Sequence, residues 1–110
     1  MENIVLKNSQ VFSHIKETVF LESVGGFTRR YCNNGREFLI EKSLEEIIND
    51  LPQEKFVKIN NSFIINADYI KRIKTKAIKN VVLVGGIELN IAQDQYWELI
   101  RFLKFKYNIW

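Results

Sequence analysis

The side chains able to do chemistry in this chain of 110 residues gather in short stretches, with no catalytic pair among them. The most informative is FVKINNSFIINADYIKRI, where Lys58, Asn60, Asn61 and Ser62 stand among bulky apolar residues. Asn is depleted in strands because its side chain competes for the backbone's own hydrogen bonds, so two adjacent amides among β-formers need a reason. One is a turn between two short strands; the other is a polar tip held on an apolar scaffold to meet donors and acceptors. Both stay open on composition alone. A second stretch pairs Arg29 with Arg30, and a third carries Lys71, Arg72, Lys74, Lys76 and Lys79 with no acid among them. Acids collect instead at Glu41, Glu45, Glu46, Asp50 and Glu54. A basic sector points toward a polyanion, with a solvated strand face as the plainer account.

Other chemistries find little support. One histidine, His14, and one cysteine, Cys32, do not furnish an N/S zinc site, and a lone Cys in an apolar-aromatic run reads as packing. Gly25-Gly26 and Gly85-Gly86 precede strand-like runs, so no glycine loop presents a helix N-terminus to a phosphate. Glu45-Glu46 falls in a capping turn, where acids favour a helix start. No enzyme, metal or cofactor is expected. A formal net charge of +3 is mild. No apolar run approaches the roughly 20 residues that span a bilayer, and MENIVLKNSQ lacks a signal-peptide core, so a soluble cytoplasmic protein is expected. The length suits one domain over 1–110 with a core of its own.

The elements that must position these groups are mostly strands. Asn3 to Lys7 and Val11 to Ile15 read as strands around an Asn8-Ser9-Gln10 turn, followed by VFLES from Val19 to Ser23. Phe27 to Cys32 places Phe27, Arg29 and Tyr31 on one face and Thr28, Arg30 and Cys32 on the other. Asn33-Asn34-Gly35 makes a hairpin turn to Arg36–Glu41. Ser43 and Glu46 form a capping box for a short helix with Leu44, Ile47, Ile48 and Leu51 in helical spacing, which Pro52 is expected to stop. Val81–Val84 and Ile87–Ile91 flank Gly85-Gly86 as a second hairpin. From Gln95 the spacing of Tyr96, Leu99, Ile100 and Leu103 is that of an amphipathic helix whose aromatic end, RFLKFKYNIW, should pack on the β body. The sum is a mainly β domain of about nine or ten short strands in small antiparallel sheets, sandwich-like or meandering, with two short helices.

That order of elements resembles the LytTR-type DNA-binding domain, the effector domain of many bacterial response regulators. The family's "I-x-Y-I-E" strand matches VFLES with Glu22, its "S-L-x-E-L" helix matches SLEEI, and its "F-x-R-x-H-R/N-S-[YF]-[IV]-[VI]-N" segment matches Phe56 to Asn66. GGIELNIAQDQYWEL resembles its last hairpin and C-terminal segment, so the similarity spans nearly the whole chain. The resemblance implies loops, rather than a recognition helix, inserted into successive major grooves of double-stranded DNA, with two copies on repeated promoter sites. Carried over, the DNA contacts fall on Thr28, Arg29 and Arg30, on Lys58, Asn60, Asn61 and Ser62, and on Gln93. Arg suits guanine or phosphate, Asn suits adenine, and Lys58 and Ser62 suit phosphate oxygens. Asn60 stands where members often carry His. Asp94 stands where members can place a DNA-contacting Arg, and it is expected either to face DNA or to cap the final helix. A receiver domain attached in the full-length protein is what the family commonly implies, free-standing members also existing. The alternative is a β-rich protein-interaction module that retains the fold without DNA binding.

Overall fold

The computed structural model describes residues 3–6 and 15–107. Among the described residues, nine strands are β1 (Asn3–Leu6), β2 (Thr18–Val24), β3 (Phe27–Cys32), β4 (Glu37–Ile40), β5 (Phe56–Lys58), β6 (Phe63–Asn66), β7 (Ile70–Lys74), β8 (Asn80–Leu83) and β9 (Glu88–Asn90). Two α-helices are α1 (Leu44–Ile48) and α2 (Gln93–Tyr107), with short 3-10 turns at Ile15–Glu17, Ala67–Tyr69 and Val84–Gly86. The strands form a six-stranded sheet ordered β1-β4-β3-β2-β6-β5 and a three-stranded sheet ordered β7-β8-β9. Pairing is antiparallel except for β1, which runs parallel to β4. The mainly β expectation holds, and that parallel edge corrects its all-antiparallel form.

The six-stranded sheet is buried on both faces, which explains why β2 and β6 are continuous apolar runs instead of alternating ones. On one face Phe20 and Ile65 meet Ile59, Val81, Leu83, Ile91 and Leu99, so the smaller sheet and α2 close over it. On the other, Leu21, Ile40 and Ile64 pack with Leu44, Ile47 and Leu51 around α1. Successive side chains of a strand point to opposite faces, so Phe20/Leu21 and Ile64/Ile65 each serve both cores.

The capping box of α1 is formed: Ser43 Oγ accepts from Glu46 N (3.2 Å), and Glu46 Oε1 accepts from Ser43 N (3.0 Å). The backbone hydrogen bond from Ser43, seconded by its hydroxyl, holds the Glu46 carboxyl below its usual pKa. Removing the cap with Ser43→Ala is expected to lower stability by about 1 kcal/mol in denaturant titration; an unchanged midpoint would show that α1 is held by its core contacts alone. The helix ends at Ile48, with three residues between it and Pro52. Asn49 takes the cap position, and Gln53 Nε2 donates to the carbonyls of Ile48 and Leu51 (both 2.9 Å), which satisfies acceptors that the helix leaves open. Pro52 therefore follows the stop without making it.

α2 starts two residues earlier than its apolar stripe indicates and runs for 15 residues, longer than the short helix expected. Tyr96, Leu99 and Leu103 are buried as the spacing implies, but Phe105 is 93% exposed and so does not pack on the β body. The Asn8-Ser9-Gln10 turn, Val11 to His14 and Trp110 lie outside the described residues; Ile15 opens a 3-10 turn, not the end of a strand. No helix among the described residues is long and apolar enough to cross a membrane.

Candidate nucleic-acid interface

The polar patch is the loop between β5 and β6, and three buried isoleucines anchor it. Ile59, Ile64 and Ile65 are fully buried, each worth roughly 1.5–3 kcal/mol of transfer free energy. Ordering the three loop residues Asn60, Asn61 and Ser62 costs about 1–2 kcal/mol each in backbone entropy, so the anchor offsets it. Ile59 N donates to Phe63 O (3.1 Å) and closes the loop.

Within it the two asparagines have opposite fates. Asn60 Oδ1 accepts from Ser62 N (2.7 Å) and Phe63 N (2.9 Å), while its Nδ2 donates to Asn90 O (2.7 Å). Both ends of that amide are engaged inside the protein, so Asn60 braces the loop. Asn61 and Ser62 are exposed at the tip. Lys58 is half-buried and, with Asn61, lines a cleft of about 90 Å³ against Leu44, Glu45 and Ile48. Both the turn and the held-out tip are thus present, one residue apart.

Two further segments are hydrogen-bonded to this loop. Ala92 N donates to Ile59 O (2.8 Å), which with the Asn60–Asn90 bond fixes the start of α2 and the exposed Gln93 beside it. On the other side, Ser23 N donates to Ser62 O (2.8 Å), bringing in the β2–β3 hairpin tip. Gly25 and Gly26 both take positive φ (+55° and +88°) there, a two-residue turn that matches the twist of its strands. Asp94 lies in the first turn of α2, exposed, where a carboxylate favours the positive end of the helix dipole; it is the second helical residue and so not the N-cap.

In the hairpin the three residues of the first expected contact site are placed differently from one another. Thr28 is fully buried, and its hydroxyl donates to Lys42 O (2.8 Å). Arg30 is 2% exposed, its guanidinium stacked 5.0 Å from the Phe38 ring and beside Cys32. Neither side chain reaches the surface, because the face of β3 that carries them is the face covered by the α1 core. Arg29 lies on the opposite face, over Phe20 (5.6 Å), with its guanidinium bound by Glu22 and Glu37. Partial burial opposes its charge, but hydrogen bonds to Glu37 and then Glu22 prevail and raise its pKa. What the tip does present is apolar: Val24 and Phe27, 45% and 44% exposed. Sequence reasoning passed over both, although residues flanking a Gly-Gly turn were the available signal. Asn90, the partner of Asn60, was equally missed; its place on the wet face of an alternating strand was the hint.

Cys32 is buried, as expected of packing; burial pushes its thiol pKa up, with Arg30 only partly opposing. Among the described residues no cluster of three His, Cys, Asp or Glu side chains is placed to hold a metal.

A family model described as the LytTr DNA-binding domain matches residues 8–104. In fold the chain is similar to the LytTr DNA-binding domain of a Bacillus cereus protein described as a methyl-accepting/DNA response regulator. The two superpose with a TM-score of 0.72 at 22% identity, covering 80% of this chain and 82% of that one. No curated protein matches this chain.

Proposed function

The chain belongs to the LytTr DNA-binding domain family, and from that premise we propose that it binds double-stranded DNA sequence-specifically in bacterial transcription control. The observation that carries this reading is the joining of three segments by hydrogen bonds at one edge of the molecule, with Asn61, Ser62 and Gln93 exposed there. Rigidly held polar groups on a β scaffold lose little entropy on engaging a partner. Asn61 reads a base edge in the major groove, adenine offering it a bidentate match, and Gln93 reads a neighbouring one. Lys58 and Ser62 hold phosphate oxygens and fix register. Val24 and Phe27 at the hairpin tip suit the methyl group of thymine. Thr28 and Arg30 carry no contact in this proposal, and Arg29 takes part only by exchanging a carboxylate for a phosphate or guanine.

The reading extends to a single DNA-binding domain over 1–110, acting in the cytoplasm as two copies on a repeated promoter site, with a receiver domain in a full-length regulator. A salt titration on duplex fragments selected from a random pool tests it. Affinity should fall steeply as salt rises, because bound cations release condensed counterions. Absence of duplex binding at low salt would remove the proposal. Lys58→Ala should weaken all duplexes alike and reduce the salt slope by about one; a changed base preference instead would make Lys58 a reader. The second reading, a protein-interaction module on the same fold, draws on Trp97 and Phe105, both exposed and about two turns apart along α2. The same titration separates the two, since that module would give no salt-dependent duplex complex.

A further inference from the structure

Five of the chain's cations lie between Lys71 and Lys79, outside the three segments joined at the interface, and no acid occurs from Tyr69 to Ile87. Lys74 is neutralised by Glu88 across the sheet (2.6 Å). The β7–β8 connection beyond it is placed differently. Lys79 O accepts from Ile91 N (2.9 Å) and from Asn90 Nδ2 (3.2 Å), and Asn90 O is the acceptor for Asn60. The connection is therefore one residue removed, through Asn90, from the loop that bears Asn61.

The Lys79 ammonium lies 5.1 Å from the centre of the Tyr96 ring, which keeps it beside the first turn of α2, where Gln93 and Asp94 stand. The segment leading into α2 has no cation of its own: from Ile87 to Trp97 the only charged residues are Glu88 and Asp94. Lys76 is exposed, and Ala77, at φ +54°, turns the chain between the two lysines. A non-glycine residue in that region is a strained conformation of the kind found where a loop is shaped for contact.

We propose that Lys76 and Lys79 of the β7–β8 connection form a fourth DNA contact, gripping backbone phosphate beside the stretch of duplex met by Asn61 and Gln93. The proposal rests on the DNA-binding reading. An ammonium is a point charge without the planar fork that reads a guanine edge, so these lysines position the duplex and do not select its sequence. They also return positive charge to the edge where Asp94 would otherwise repel phosphate.

The test is a salt titration of the full chain on a duplex selected from a random pool. Each neutralised phosphate adds about 0.9 to the steepness of log affinity against log salt, so Lys76→Ala and Lys79→Ala should each make the slope shallower by about 0.9 and the double variant by about 1.8. Base preference should not change, and Lys79→Arg should keep the parent slope. Circular dichroism confirms that each variant is folded; should Lys79→Ala unfold through loss of its Tyr96 contact, Lys76→Ala carries the result alone. A folded Lys76→Ala or double variant with the parent slope would overturn the assignment while the parent still binds. If the parent itself binds no duplex, the DNA-binding reading falls, and this contact with it.

Discussion

Replacing Asn61 by alanine is expected to leave the domain folded and to flatten its discrimination among duplex sequences. Asn61 is exposed at the loop tip, so its removal should shift the unfolding midpoint little. A bidentate amide contact to adenine is worth about 1–3 kcal/mol against the wrong base, or roughly five- to 150-fold in relative affinity. Competition between the selected duplex and single-base variants measures this directly. Loss confined to one base-pair position identifies the base read. Equal weakening on every duplex would instead make Asn61 a backbone contact and would move the reading role to Gln93.

Asn60→Ala should behave in the opposite manner. It deletes three hydrogen bonds, to Ser62 N, Phe63 N and Asn90 O, each of net value about 0.5–1.5 kcal/mol; water can replace some of them at this partly exposed site. A stability loss of about 1–3 kcal/mol is expected in denaturant titration, together with weaker binding to every sequence, because the loop and the start of α2 lose their link. Asn60→Asp keeps the two acceptor contacts but sets a carboxylate against the Asn90 carbonyl, so it should restore the turn and not the link. An unchanged melt for Asn60→Ala would show that Ile59 and the Ala92–Ile59 backbone bond hold the loop unaided. The contrast between neighbouring asparagines, one moving stability and the other specificity, is the sharpest check on how this edge is organised.

Much of the fold was legible because local chemistry decided it. The Ser43–Glu46 capping box, the Gly25-Gly26 hairpin and the stripe of Tyr96, Leu99 and Leu103 each depend on residues a few positions apart, and each is present; at Gly85-Gly86 the two strands pair, but the turn also takes in Val84 and Ile87. The end of α1 was less legible, since Gln53 caps it from beyond Pro52. The site was legible as a location and not as a set of roles. Period-two alternation correctly grouped Thr28, Arg30 and Cys32 on one face of β3, but it does not say which face is inside. That depends on α1, which covers the face where Leu21, Ile40 and Ile64 already lie. A buried arginine over Phe38 and an exposed phenylalanine at the hairpin tip invert the usual expectation for both residue types.

By itself, then, the sequence determined the mainly β architecture, the family to which the chain belongs and the loop around Asn61, because strand period, turn chemistry and caps act over a few residues. Only the tertiary structure decided the roles within that loop. Asn60 and Asn61 are chemically identical neighbours, and what separates them is the carbonyl of Asn90, thirty residues away, which accepts from one amide and leaves the other at the surface. Contacts made across that separation depend on how two sheets and a helix close over a shared core, and no local pattern encodes that closure.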